Sequence, residues 1–205
     1  MLGVFLIKKL MKLFNFFLGL GFLLVIIFTP AILKAQGNLI SPTKINAINL
    51  IDLGNNVNHI SLNKTTIIIF LSPECPLCKN YLPGLIKLQN SHKEINFYGV
   101  VPGKSYSLKE ISKLKNEYKI NFELLTDRDK RLSKYLNATT TPEVFLINKM
   151  GAITYQGQID NWASALGQKR LVITEKYLEE AINDLLSGKL SFKKTIPVGC
   201  LINDI

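Results

Sequence analysis

The sequence predicts an α/β domain, a sheet carrying helices on both faces, and three features predict it. The run Thr66-Ile67-Ile68-Ile69-Phe70-Leu71 has the unbroken apolarity of a strand buried on both sides. Along the chain, stretches of strand character alternate with stretches of helical period. The clearest helix carries Ile173, Tyr177, Leu178, Ala181, Ile182, Leu185 and Leu186 on one stripe and stops at Gly188.

The elements follow in order. Residues 45–53 and 59–62 read as an N-terminal hairpin around Gly54-Asn55-Asn56. The buried run at 66–71 leads directly into Ser72-Pro73-Glu74-Cys75-Pro76-Leu77-Cys78. From Lys79 the period becomes helical, with Tyr81, Leu82, Leu85, Ile86 and Leu88 on one face. Residues 95–101 read as a strand. Ser107 and Glu110 have capping-box spacing for a helix that carries Ile111, Leu114 and Tyr118. A short strand at 122–125 and a short helix at 129–136 come next. The turn-like 137–142 then enters a hairpin, 144–147 and 152–156, closed by a turn at 148–151. The predicted order is β-β-β-α-β-α-β-α-β-β-α, one domain over residues 45–190, followed by a C-terminal extension at 191–205.

The N-terminus has a different chemistry. The first 35 residues hold Lys8, Lys9, Lys12 and Lys34, no acidic residue, and the apolar run 13–28, broken only by Asn15. Lysines, then about 7–15 apolar residues, then small residues make a secretory signal pattern. Residues 13–33 also reach the roughly 20 apolar positions of a spanning anchor, although Pro30 interrupts them. Either reading places the rest of the chain outside the cytoplasm, in the bacterial periplasm or tethered facing it. No cysteine stands near a cleavage position for a lipid to attach.

Charge excludes one class of partner. The chain has 25 basic and 15 acidic residues, net +10; without the four N-terminal lysines it is +6. The lysines are scattered, in blocks no longer than two, which fits a solvated surface and not a nucleic-acid patch.

Cys75, Cys78 and Cys200 are the only cysteines, too few for a disulfide-stapled scaffold. A Cys-x-x-Cys where a buried strand meets a helix has a mechanical meaning. The first cysteine sits at the helix N-terminus, where free backbone N–H groups and the positive dipole end favour a thiolate. A thiolate attacks a disulfide, and the second cysteine, one turn on, resolves the mixed disulfide. Cys75 is the expected nucleophile and Cys78 the expected resolving thiol.

With these residues in place, the chain resembles the thioredoxin-like superfamily, in its redoxin or alkyl hydroperoxide reductase/thiol-specific antioxidant branch. The resemblance rests on the strand ending in Cys75-Pro76-Leu77-Cys78, on Pro83, on Thr141-Pro142 and on the hairpin 144–156. It implies a central mixed sheet with helices on both faces, and Pro83 kinking the active-site helix. It also implies a cis Pro142 facing the cysteines, with the backbone at Thr141 pairing to an incoming peptide. The N-terminal hairpin resembles that of exported thioredoxins used in cytochrome maturation.

Departures from the family pattern bear on activity. Glu74 replaces the aromatic residue usual before the first cysteine. It either opposes Cys75 ionisation as a nearby carboxylate or faces solvent with little effect. The peroxidatic pattern would place a proline at position 68, where the chain has Ile68, while Ser72 fits its Thr/Ser position. None of Arg128, Arg131 and Arg170 is assignable as a peroxide-polarising arginine.

Cys200, in Pro197-Val198-Gly199-Cys200-Leu201-Ile202, has three readings: an inert buried thiol in a short added strand, a third redox thiol folding back onto Cys75, or part of a three-sulfur site for a soft metal. Gly199 would permit close backbone approach in each. His59 and His92 lack metal-ligand spacing and read as surface or packing residues. Asp160, beside Asn161 and Trp162, reads as a loop cap with proton relay as the alternative. Asp52 with Gly54 reads as a turn.

The leading expectation is an exported thiol–disulfide oxidoreductase without a bound cofactor or metal. It acts on protein thiols or disulfides and exchanges electrons with a membrane or periplasmic partner. The alternatives are a thiol peroxidase and a copper-delivery protein. Copper-delivery redoxins space their cysteines more widely and add a dedicated histidine, features this chain lacks.

Overall fold

The β-branched run becomes the middle of the molecule. A computed structural model of the chain describes residues 39–189 and 192–202; the export segment read in residues 1–35 lies outside the described residues. All five residues of β3 (Thr66–Phe70) are buried, as a strand covered on both faces requires. β3 pairs in parallel with β4 (Asn96–Pro102) and antiparallel with β7 (Glu143–Ile147). β4 pairs in parallel with β5 (Glu123–Asp127), and β7 antiparallel with β8 (Ile153–Gly157). Two short N-terminal strands, β1 (Leu50–Asp52) and β2 (Val57–Asn58), extend one edge beyond β5. On the other edge, the late strand β11 (Lys193–Lys194) lies parallel to β8. The strand order is β11-β8-β7-β3-β4-β5-β1-β2, a mixed sheet as expected.

Alternation along β3 divides the core into two layers. Ile67 and Ile69 pack with Leu82 and Leu85 of α2 (Pro76–Ser91), Ile111 and Leu114 of α3 (Leu108–Tyr118), and Leu178 and Ile182 of α5 (Tyr177–Leu186). On the opposite face, Ile68 and Phe70 pack with Ile45 of α1 (Pro42–Asn46) and with Leu132 and Leu136 of α4 (Arg131–Leu136). Phe70 meets Phe145 of β7 edge-on, with ring centroids 5.7 Å apart. Helices therefore cover both faces.

Local signals set most boundaries. Ser107 Oγ accepts from the Glu110 N–H while a Glu110 carboxylate oxygen accepts from the Ser107 N–H at 2.7 Å, so the predicted capping box starts α3. Asn148 closes the β7–β8 turn by accepting on its side chain from the N–H groups of Met150 and Ala152.

Three local expectations are corrected. Ile45 belongs to the short helix α1 and not to a strand, because Ser41 caps that helix and Pro42 starts it. Residues 59–62 form no strand; Ile60 and Leu62 instead drop into the second core layer. The last helix begins at Tyr177, and Ile173 is exposed. Asn161 accounts for that late start: its side chain bonds both the N–H and the hydroxyl of Thr174, and its N–H donates to Glu175 O, holding the segment outside the helix. A further hairpin, β9 (Ala163–Ala165) with β10 (Gln168–Lys169), was not expected from the sequence; Gly167 at φ +75° stands in its turn.

Candidate active site

β3 and α2 deliver the cysteine pair. The Leu71 N–H donates to Val100 O, which carries the strand register up to the edge of the loop. Cys75 is the N-cap of α2, with extended backbone (φ −71°, ψ 116°), and Pro76 follows as the first helical residue. The Cys75 side chain makes no capping bond, so its sulfur is left to chemistry. Cys78, one turn on, is fully buried, and its sulfur accepts the Ser72 N–H at 3.4 Å. Pro83 lies inside the helix as expected, on its exposed side.

The two thiols are driven apart in acidity. The Cys75 thiol is held down to about 5, first by the hydrogen bond from Cys78, against the penalty of burial, and then by the bond from Cys200. Burial, reinforced by the neighbouring Cys75, pushes Cys78 well above the ordinary thiol value. One sulfur is thus poised as a thiolate and the other kept as a thiol. Glu74 is exposed.

Facing the pair is the segment entering β7. The Thr141–Pro142 peptide bond is cis, as the resemblance implies, and the Thr141 carbonyl accepts from the Cys75 thiol at 3.1 Å. A residue that sequence reasoning missed holds this segment in place. Glu143 is buried; one carboxylate oxygen accepts from the N–H groups of Thr139 (2.8 Å) and Thr140 (3.3 Å), and the other from the Gln156 side-chain amide (3.0 Å). Its signal was a lone carboxylate at the head of the apolar run Val144-Phe145-Leu146-Ile147.

Cys200 completes the cluster. β12 (Cys200–Leu201) pairs antiparallel with β6 (Thr140–Thr141), Cys200 opposite Thr141 and Leu201 opposite Thr140. The Cys200 sulfur donates to the Cys75 sulfur at 2.9 Å. Burial, and then the adjacent Cys75, push the Cys200 thiol up to about 11. The Ile202 N–H donates to Thr139 O at 2.9 Å, and the Ile202 side chain is buried in the second core layer. Cys200 thus lies in a short added strand, as the first of its three readings has it, and is folded back beside Cys75, as the second does.

The other candidates bond to groups other than the sulfurs. The Tyr81 hydroxyl donates to Asp160 at 2.7 Å, the same oxygen accepts from the Trp162 N–H, and Tyr81 meets Trp162 edge-on at 5.6 Å. Asp160 therefore caps its loop. His59 contacts Ile48 O, and His92 contacts Glu94. Asp52 accepts from the Asn56 N–H within its turn. Among the described residues, no group of three or more His, Cys, Asp or Glu could hold a metal ion.

Two cavities flank Cys200. One, of about 310 Å³, is bounded by Pro76, Leu77, Trp162 and the β9–β10 hairpin. The other, of about 810 Å³, is bounded by Tyr106, Lys104, Arg128, Lys130, Lys134 and Thr141.

Comparison with known proteins agrees with this architecture. The model of the AhpC/TSA family matches residues 43–156. No curated protein matches the chain. Among solved structures, an uncharacterized conserved protein from Geobacillus kaustophilus is similar with a TM-score of 0.69 and 22% identity, over 81% of this chain and 93% of that one. A hypothetical protein from Sinorhizobium meliloti 1021 is similar with a TM-score of 0.67 and 21% identity, over 80% of this chain and 95% of that one. A secreted Mycobacterium tuberculosis disulfide oxidoreductase has a TM-score of 0.50 and 20% identity, over 56% of this chain and 84% of that one. The fold is thioredoxin-like.

Proposed function

Because the chain belongs to the AhpC/TSA family, we propose that it is an exported thiol–disulfide oxidoreductase that exchanges a Cys75–Cys78 dithiol or disulfide with protein thiols. The observation that carries this reading is two cysteines at one helix end, Cys75 at the N-cap beside the Thr141 carbonyl and Cys78 buried one turn on, a placement that separates their acidities. Cys75 is held down to about 5 and the buried Cys78 is held above the ordinary thiol value.

In the reducing direction, the Cys75 thiolate attacks one sulfur of a client disulfide. A Cys75–client bond forms, and the other client sulfur leaves as a thiolate. Cys78 then attacks the Cys75 sulfur, closes the Cys75–Cys78 disulfide and expels the second client thiolate, which takes up the proton that Cys78 gives up. The client gains two electrons and the pair loses two. The oxidising direction reverses every step. The protonated Cys75 thiol donates to the Thr141 carbonyl at 3.1 Å; that bond is given up when the thiolate forms, and the thiolate is then supported by Cys78 and Cys200. The enzyme draws or passes electrons through a membrane or periplasmic partner, and no bound cofactor is needed.

Residues 1–35, with their lysines and apolar run, support export. A reporter active only outside the cytoplasm, fused after residue 38, is expected to be active; silence would remove the export part of the proposal.

The exchange reading is tested by the redox equilibrium of the full chain with glutathione and by catalysis of insulin reduction with dithiothreitol as the electron source. The Cys75–Cys78 disulfide is expected to form, and insulin reduction to vanish in Cys75→Ser. A protein that forms no such disulfide, and instead consumes peroxide through Cys75, would overturn this reading in favour of a thiol peroxidase.

A further inference from the structure

Strand β6, the backbone that faces the cysteine pair, already has a partner, and that partner is the C-terminal tail of the same chain. Within the described residues β6 pairs with β12 alone, in a two-stranded ladder separate from the main sheet. The tail is built to be there. Gly199 passes so close to the Thr141 carbonyl that a Cβ at position 199 would stand 2.2 Å from its oxygen and 2.7 Å from its carbon. Only glycine fits such an approach. Upstream, β11 lies on β8, and Thr195 Oγ1 accepts from the Gln158 N–H at 2.8 Å. Downstream, Ile202 is anchored in the core. Between those anchors the register places the Cys200 sulfur 2.9 Å from Cys75, roughly 1 Å beyond a covalent disulfide.

We propose that residues 198–202 act as an internal substrate: Cys200 exchanges into disulfide linkage with Cys75, and the tail occupies the site where a client polypeptide would pair. This rests on the exchange reading above and adds a third redox thiol to it. The step starts from the Cys75–Cys78 disulfide, which the client reaction produces. Cys200 gives up its proton as its sulfur attacks the Cys75 sulfur; the Cys75–Cys200 bond forms and the Cys75–Cys78 bond breaks. The electron pair leaves on Cys78, which takes up the proton that Cys200 has lost. No electrons enter or leave, so no further oxidant is required. Tethering gives Cys200 an effective concentration on the order of millimolar, above that of a dilute client. A client must displace the tail to reach Cys75.

The test uses the full chain carrying Cys78→Ser, incubated with oxidised glutathione and digested with trypsin without reduction. The expected product is the fragment 65–79 linked to the fragment 195–205 through Cys75 and Cys200, with glutathione released. The stable glutathione adduct on Cys75 should be lower by about tenfold than in Cys78→Ser/Cys200→Ser, as when roughly one molecule in ten has its tail displaced. Gly199→Val in the Cys78→Ser background should restore the adduct, because a side chain there collides with Thr141. The wild-type chain, oxidised in the same way, supplies a check free of any substitution, and it should give a fraction of the same linked fragments with Cys78 open to alkylation.

Equal adduct with and without Cys200, and no linked fragments from either protein, would overturn the inference. Undiminished linkage in Gly199→Val would also overturn it, since the thiols would then meet without the seated tail. Failure of the underlying enzyme reading looks different: neither wild type nor Cys200→Ser would form a Cys75–Cys78 disulfide or reduce insulin.

Discussion

The Thr141 carbonyl oxygen lies 3.1 Å from the Cys75 sulfur, joining two segments 66 residues apart at the reacting atom. That contact depends on how the Thr139–Thr141 backbone is held, and Glu143 holds it with one carboxylate oxygen on two of its N–H groups.

Glu143→Ala is therefore expected to destabilise the protein by about 1–3 kcal/mol for each buried donor left unpaired. Denaturant unfolding measures the loss. Disulfide exchange should slow as well, since the Thr139–Thr141 backbone facing the cysteine pair would no longer be fixed. A variant as stable and as active as wild type would show that Glu143 does not position this segment.

The acidity of Cys75 has ranked causes. The bond from Cys78 lowers it most, and the bond from Cys200 lowers it less. Ultraviolet thiolate absorbance against pH should give a midpoint near 5 for the reduced protein. Cys78→Ala should raise that midpoint more than Cys200→Ala does. The reverse order would assign the thiolate's support to the tail.

The same shift fixes a pH dependence of stability. A depressed native pKa means that the unfolded chain binds the proton more tightly than the folded one. The Cys75 contribution is fully present above the ordinary thiol value of 9.0, shrinks as pH falls from there, and is lost through about 5. Reduced wild type should therefore gain stability over reduced Cys75→Ser as pH rises from about 5 to 9. A difference that stays flat across that window would remove the stabilised thiolate.

A stabilised thiolate favours the reduced pair, which makes the disulfide a stronger oxidant. The Cys75–Cys78 couple is expected to lie above thioredoxin's ~−270 mV, toward the ~−120 mV of a dedicated oxidant. Cys200→Ser allows this couple to be measured without the competing Cys75–Cys200 bond. A value at or below ~−270 mV would instead make the protein a reductant.

The tail has a second anchor to test. Gly157 is at φ +135°, and a Cβ there would stand 2.2 Å from Thr195 Oγ1 and 2.4 Å from its carbonyl oxygen. Gly157→Val is expected to detach β11 and the tail behind it while leaving α2 and the cysteine pair folded. Cys200 should then alkylate faster in the reduced protein. An unchanged rate would mean that the tail is seated without this contact.

Much of this protein was set locally, and those parts were legible in the sequence. The β-branched run at 66–71 could only be a buried strand, so the Cys75–Cys78 pair that follows it had to stand at a helix N-terminus. Ser107 with Glu110, and Asn148 in its turn, define element ends through bonds spanning a few residues. What the sequence left open depended on partners far away in the chain. Ile173 continued an apolar stripe, but Asn161 holds its neighbour Thr174 outside the helix. Glu143 read as an odd carboxylate until the Thr139–Thr141 turn and Gln156 closed around it. Cys200 carried no periodicity and no spacing to the other cysteines. Its place 2.9 Å from Cys75 is set by β-ladder register across 59 residues and by a glycine that lets two backbones touch. The cysteine pair follows from local sequence because strand and helix adjoin it; the third thiol joins it only because tertiary pairing brings the tail back.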